Sequence, residues 1–258
     1  MGEEHKATKR VLDILELVGD HNENGLKFSE IVSLLGESKG TLHPMVMTMA
    51  NRDYLFYDQN EGKYHLGLQI ANLGKLCSEK SDLLSEIDEV LERVVKIDYV
   101  TAFCGVLSTD KVLYLLRKEA SGNVKVIAKK GSRIPASCTA IGKALLSKFS
   151  REKLEKLYPE GLPQLTENSI TDLNVLYVQC KEVEKTGIAT EVEESNKLIR
   201  CFATPIVVDQ KVCAAISAAF PILIDKEETL EEIKSLLLSA RKEIEELISR
   251  KKELWIYS

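Results

Sequence analysis

The chain has 258 residues, 44% of them hydrophobic and 29% charged, with 14 Gly and 6 Pro. This is the make-up of a folded globular protein long enough for two domains, and it excludes fibrous, collagen-like and disordered readings. Net charge is −5, and a split at residue 70 leaves 7 basic against 11 acidic residues before it and 28 against 29 after it, so any DNA contact has to come from a local surface.

No run approaches the roughly 18 uncharged apolar residues of a membrane span, and the start, Met1-Gly2-Glu3-Glu4-His5-Lys6, has no apolar segment for secretion. A cytoplasmic protein without membrane contact is expected. Six scattered cysteines with no C-x-x-C pair read as packed, reduced thiols. The four histidines, His5, His21, His43 and His65, all precede residue 66, so the rest of the chain has no Ser-His-Asp triad, Cys-His pair or histidine-rich metal site of its own. A non-enzyme is expected, with no catalytic set, no metal and no cofactor.

From Thr8 to His21, Val11, Ile14, Leu15 and Val18 recur at helical spacing. After the breaker Asn22-Glu23-Asn24-Gly25, Ser29 is the expected cap of a short helix that carries Ile31, Leu34 and Leu35 inward and stops at Gly36. Ser38 is the expected cap of a third helix, with Leu42, Met45, Val46 and Met49 inward and Lys39, Gly40, His43 and Met47 outward. Beyond Asp53, Tyr54-Leu55-Phe56-Tyr57 and Lys63-Tyr64-His65-Leu66 flank a polar turn and read as a hairpin. This is the element order of a winged helix-turn-helix, with an unrelated small helical domain as the competing reading.

Leu68 to about Ile97 reads as helical with a polar break at Ser78 to Ser81, its first part a linker and a natural dimer contact. Two antiparallel hairpins of buried strands follow: Val100 to Leu107 with Lys111 to Arg117, and Ile199 to Val208 with Lys211 to Phe220. Helices are expected at Thr139 to Phe149, at Arg151 to Tyr158, from a Thr171 cap to about Lys185, and from Lys226 to about Lys252. The fold class is α+β with an antiparallel sheet.

Ordered in this way, the chain resembles the IclR family of transcription regulators from Thr8 to Lys252. Ser29 to Gly36 and Ser38-Lys39-Gly40-Thr41-Leu42-His43 look like the family's supporting and recognition helices, and Lys63-Tyr64-His65-Leu66-Gly67 is similar to its wing ending. Pro135 to Ala144, Thr186-Gly187-Ile188-Ala189 with Glu193-Glu194, and Arg200-Cys201-Phe202-Ala203-Thr204-Pro205-Ile206 resemble three motifs of its second domain. The resemblance implies a winged helix-turn-helix DNA-binding domain (1–67), a linker helix (68–82) and a GAF-like effector-binding domain with an antiparallel sheet and flanking helices (83–258). It also implies a homodimer or tetramer on a palindromic double-stranded DNA operator, responding to a small organic acid or aromatic metabolite. The DNA-contacting candidates are then Ser38, Lys39, Gly40, Thr41, His43 and, on the wing, Lys63; the effector-contacting candidates are Ser137, Cys138, Thr139, Cys201, Ser217 and Ala219. A carboxylate would suit the helix N-terminus that follows Ser137.

Several positions depart from the family pattern. Pro44 stands in place of an arginine and is expected to delay or kink the recognition helix. Asp53 and Leu198 replace glycines, Ser137 replaces a histidine and Ala219 a serine, which makes the pocket more apolar. Two alternatives follow: an oligomeric sensor whose helix-turn-helix no longer binds DNA, and a redox sensor built on Cys138, a thiol at a helix N-terminus near Arg133 and Lys143 with a lowered pKa. Glu191, Glu193 and Glu194 read as a charged strand end.

Overall fold

In the computed structural model, which describes residues 5–78, 82–120 and 128–251, the chain divides into two compact units, Met1–Asp82 and Leu83–Ser258. In the first, α1 (Lys6–Asp20) is capped by His5, whose ring nitrogen accepts from the Thr8 amide. It is followed by α2 (Phe28–Leu35), α3 (Lys39–Asn51), the hairpin of β1 (Leu55–Asp58) with β2 (Lys63–Leu66), and α4 (Leu68–Ser78). Most inward positions read from the sequence pack together: Ile14 and Val18 of α1, Ile31 of α2, and Leu42, Val46 and Met49 of α3 share one core with Leu55 and Tyr64 of the hairpin. Leu34, expected inward on α2, is exposed, because it falls to one side of the stripe that Ile31 and Leu35 turn to the core. The cap of α2 differs from expectation. Lys27 is the N-cap, its amide donating to Glu30 Oε2 at 2.7 Å, so Ser29 lies inside the first turn. The Glu30 carboxylate, reaching back three residues to the Lys27 amide, fixes the helix start two residues ahead of Ser29. Gly36 closes α2 at φ 66°, as expected.

The second unit is built on one antiparallel sheet. Its strands are β3 (Thr101–Ser108), β4 (Lys111–Glu119), β5 (Arg133–Pro135), β6 (Ala189–Val192), β7 (Ile199–Val208) and β8 (Lys211–Pro221), in the order β5-β4-β3-β8-β7-β6. The two expected hairpins form and meet at the β3–β8 pairing, where Phe103 stands opposite Ser217. Asp209 and Gln210 join β7 to β8 at φ 48° and 64°, both left-handed, the backbone that a two-residue hairpin turn needs to match strand twist. Strands β5 and β6 are additions to the sequence reading, because three and four residues are too few to display a period of two.

Helices cover both faces of this sheet. One core holds α5 (Asp82–Val94) and α9 (Glu227–Lys251) against Val106, Phe202, Ile216 and Phe220. The other holds α6 (Ala140–Leu146), α7 (Arg151–Leu157) and α8 (Leu173–Thr186) against Phe103, Tyr114, Ala203 and Ala215. Each fully buried large side chain contributes about 1.5–3 kcal/mol. The cap of α8 is Asp172 rather than Thr171: its Oδ1 accepts from the Asn174 amide at 2.7 Å. Residues 79–81, where the polar break was expected, and Lys252, the expected end of the last helix, lie outside the described residues.

Candidate functional site

Two places gather the chemistry that the sequence singled out. The first is the exposed side of α3. Ser38 caps the helix, its hydroxyl accepting from the Thr41 amide at 3.1 Å and meeting the Thr41 hydroxyl at 2.9 Å. Two of the candidate hydroxyls are therefore engaged in starting the helix, which leaves Lys39, Gly40 and His43 exposed on its first turns. The His43 ring stands edge-on to Phe28 at 5.6 Å, which fixes its direction. The expected delay or kink at Pro44 does not displace the start: α3 begins at Lys39 and continues through Pro44 to Asn51. The cap supplies the reason, since Ser38 holds the first turn where the helix would begin without the proline. Glu37, the acid beside this N-terminus, is paired with Arg10 at 2.7 Å, which weakens its repulsion of an approaching phosphate.

At the far end of α3 the backbone turns through Asp53 at φ 58°, which aspartate tolerates better than most residues. Gly67 passes so close that a Cβ there would stand 2.1 Å from the Asp53 carbonyl oxygen, so the hairpin closes on the turn only with glycine at 67. On the wing, Lys63 is less free than expected. Its ammonium donates to the Asn24 carbonyl at 2.7 Å and lies 3.2 Å from Glu61.

The second place is a cavity between the sheet and the N-terminus of α6. Its wall on the sheet side is Phe103, Tyr114, Cys201, Ser217 and Ala219, successive inward positions of β3, β4, β7 and β8, and Thr139, Ala140 and Ile141 close it from α6. Thr139 caps α6 by accepting from the Gly142 amide at 3.0 Å, which leaves the first-turn amides of Ala140 and Ile141 without intrahelical partners beside the cavity. Glycine at 142 is obligatory, because a Cβ there would lie 2.0 Å from the Ala136 carbonyl oxygen. The cavity measures about 30 Å³, far below the roughly 300–1,000 Å³ of a typical small-molecule site, so a ligand must displace lining side chains to enter. Among the described residues, no Lys, Arg or His lines it. Burial and then the neighbouring Cys201 thiol push the Tyr114 hydroxyl up, so it stays a neutral donor. Burial followed by the nearby Glu191 carboxylate does the same to Cys201.

Behind Cys201 lies a charge cluster that the sequence misjudged. Glu191 and Glu194 are buried, not a solvated strand end. Lys143, also buried, donates to Glu194 Oε1 at 2.6 Å and to the Thr190 carbonyl at 3.2 Å. Glu191 stands opposite Cys201 across β6 and β7, and its Oε1 accepts from the amides of Glu194 and Ser195 at 2.5 and 3.0 Å. Burial raises both carboxyls above the usual glutamate range, with Lys143 opposing it at Glu194.

Ser137 and Cys138 do not line the cavity. They sit in a 3-10 turn (Ala136–Cys138), wholly buried, with the Cys138 thiol donating to the Pro163 carbonyl at 3.1 Å. The expected low-pKa thiol is overturned: burial pushes Cys138 up, Arg133 is exposed, and Lys143 is committed to Glu194. Of the six effector candidates the cavity thus gathers Thr139, Cys201, Ser217 and Ala219. Sequence reasoning missed Phe103, Tyr114, Asn196 and Ile199. Tyr114, the one polar group in the apolar run Val112-Leu113-Tyr114-Leu115-Leu116, was the available signal.

Comparison with known proteins adds the family. Residues 76–246 match the C-terminal domain model of bacterial IclR transcriptional regulators, and residues 7–59 match the IclR helix-turn-helix domain. The transcriptional regulator KdgR of Escherichia coli is 29% identical over 239 residues, covering 91% of this chain and 89% of its own. The solved IclR transcriptional regulator of Alicyclobacillus acidocaldarius superposes with a TM-score of 0.80 at 24% identity, covering 95% of this chain and 99% of its own. An IclR homologue of Microbacterium hydrocarbonoxydans, solved with 4-hydroxybenzoate, gives a TM-score of 0.78 at 24% identity with the same coverage.

Proposed function

The chain belongs to the IclR family of ligand-responsive, DNA-binding transcription regulators, and from that premise we propose how its residues divide the work. A homodimer or tetramer lays two copies of α3 on a palindromic operator. Lys39, Gly40 and His43 face the bases and phosphates, Ser38 and Thr41 hold the helix start, and Lys63 supports the wing. In the second unit a small organic acid or aromatic metabolite enters the cavity between Thr139, Cys201, Ser217 and Ala219, with the α6 amides and the Tyr114 hydroxyl as its donors. The chain works as a regulator rather than an enzyme, in the cytoplasm where the operator lies.

The observation that carries this reading is the cavity itself, in which four of the six residues that the family resemblance implies as effector contacts meet at a helix N-terminus. Coupling follows if the ligand binds one arrangement of the assembly better than another. Titration of 4-hydroxybenzoate and of short-chain keto acids against thermal unfolding tests the pocket, because a ligand at a hundred times its Kd stabilises by about 2.7 kcal/mol. A binding member of either series must also lose its effect in Ser217→Leu. Gel shift against the DNA upstream of the protein's own gene, with affinity falling as salt rises, tests the operator reading. A flat salt dependence would contradict it.

A further inference from the structure

We propose that α3 recognises thymine methyl groups in the major groove through Pro44 and Met47; this rests on the reading of α3 as the operator-binding helix. Each residue of an α-helix turns by about 100°, so positions separated by four, three and four residues line one stripe. On α3 that stripe is Gly40, Pro44, Met47 and Asn51. All four are exposed, on the side away from the buried Leu42, Val46 and Met49. Between Lys39 and the Arg52 cap the helix has no Lys or Arg and no acid.

Of the polar neighbours of the stripe, Thr48 donates its hydroxyl to the Pro44 carbonyl at 2.7 Å, and His43, its ring edge-on to Phe28, stands nearer the helix start than Met47. What the middle of the helix presents to a duplex is therefore a proline ring, which also borders the groove between α1 and α3, and a thioether. Arginine or lysine would pair with guanine N7 and O6, and glutamate would accept from cytosine; α3 has none of these past its first residue. The apolar group that base edges offer in the major groove is the C5 methyl of thymine. Met47 suits such a contact, since its unbranched thioether adapts to the groove surface. Pro44 adds a rigid apolar face one turn closer to the helix start.

The test begins with duplexes enriched from a random-sequence pool by the full-length protein. Each thymine of the enriched site is then replaced singly by deoxyuridine, which removes the methyl and nothing else. The expected result is a loss of about fourfold in affinity per contacted methyl, confined to one or two thymines of each half-site. Met47→Ala should bind thymine and deoxyuridine equally at one of those positions. Because the deoxyuridine series uses the unmodified protein, it stands whether or not the variant folds. An enriched, footprinted site whose affinity ignores every such replacement would overturn the proposal and leave operator binding intact. Failure to enrich any duplex would overturn the operator-binding reading, and this proposal with it.

Discussion

Leu198 has a left-handed backbone at φ 64°, the conformation that glycine adopts most readily, with its side chain in solvent. An L-residue in that conformation costs roughly 1–2 kcal/mol, while the backbone bonds it makes, its amide to Glu193 Oε1 at 2.8 Å and its carbonyl from the Ile222 amide at 2.9 Å, need no side chain. Leu198→Gly should therefore stabilise the chain by about 1 kcal/mol, read as a rise of roughly 2–4 °C in Tm. Glu191 offers a second residue-scale test, with a sign fixed by burial. Its folded carboxyl titrates above the ordinary value of 4.5, so the folded chain keeps a proton that the unfolded chain has already released. Stability then falls as pH rises from that ordinary value through the folded one, and the loss persists at neutral pH. Glu191→Gln keeps an oxygen for the amides of Glu194 and Ser195 and removes the buried anion. The variant should unfold at a higher temperature than the parent at pH 8, with the two curves converging as pH falls towards 4.5; a gap independent of pH would show that burial of the charge is not the cause.

At the scale of elements, Pro44 sets helix stability against surface chemistry. It lacks the amide that would bond the Gly40 carbonyl, yet α3 runs through it unbroken from the Ser38 cap. Interior proline costs roughly 3 kcal/mol relative to alanine, so Pro44→Ala should stabilise the first unit by about 1–3 kcal/mol in thermal or denaturant unfolding. The same comparison shows where reading from sequence succeeds. Helix faces such as that of α3 and the long hairpin β7–β8 were legible, because local periodicity and turn residues specify them. Cap positions were two residues off at Lys27, where the Glu30 carboxylate reaching back sets the start, and one off at Asp172, where adjacent side-chain oxygens both lie within reach of the first-turn amides and only geometry decides. Thr139 and Cys201 were legible as parts of motifs, and Ser217 through the family resemblance. Phe103 and Tyr114 were not, because their place in the cavity depends on β3 pairing with β8 across more than a hundred residues of chain.

At the scale of the whole molecule, the apolar surface is unevenly distributed. In the second unit both faces of the six-stranded sheet are covered, and among the described residues their two cores draw on Leu83 onward. Residues 83–258 should therefore unfold cooperatively when produced without the first 82. The first unit leaves one helix uncovered: along α4, Leu68, Leu73 and Leu76 are 84%, 41% and 55% exposed. An isolated helix of 11 residues is marginal in water, and packing of an apolar face is what ordinarily stabilises one. A second copy of the same chain, bringing an equivalent face through a two-fold axis, would cover these leucines and hold two copies of α3 at a fixed spacing, as a palindromic operator demands. Light scattering on the full chain checks this. Paired substitution Leu73→Lys with Leu76→Lys should lower the mass towards that of a smaller assembly and weaken operator binding together with it, whereas residues 83–258 carrying no α4 should report only the contacts made by the second unit. An unchanged mass with unchanged DNA affinity would remove α4 from the assembly.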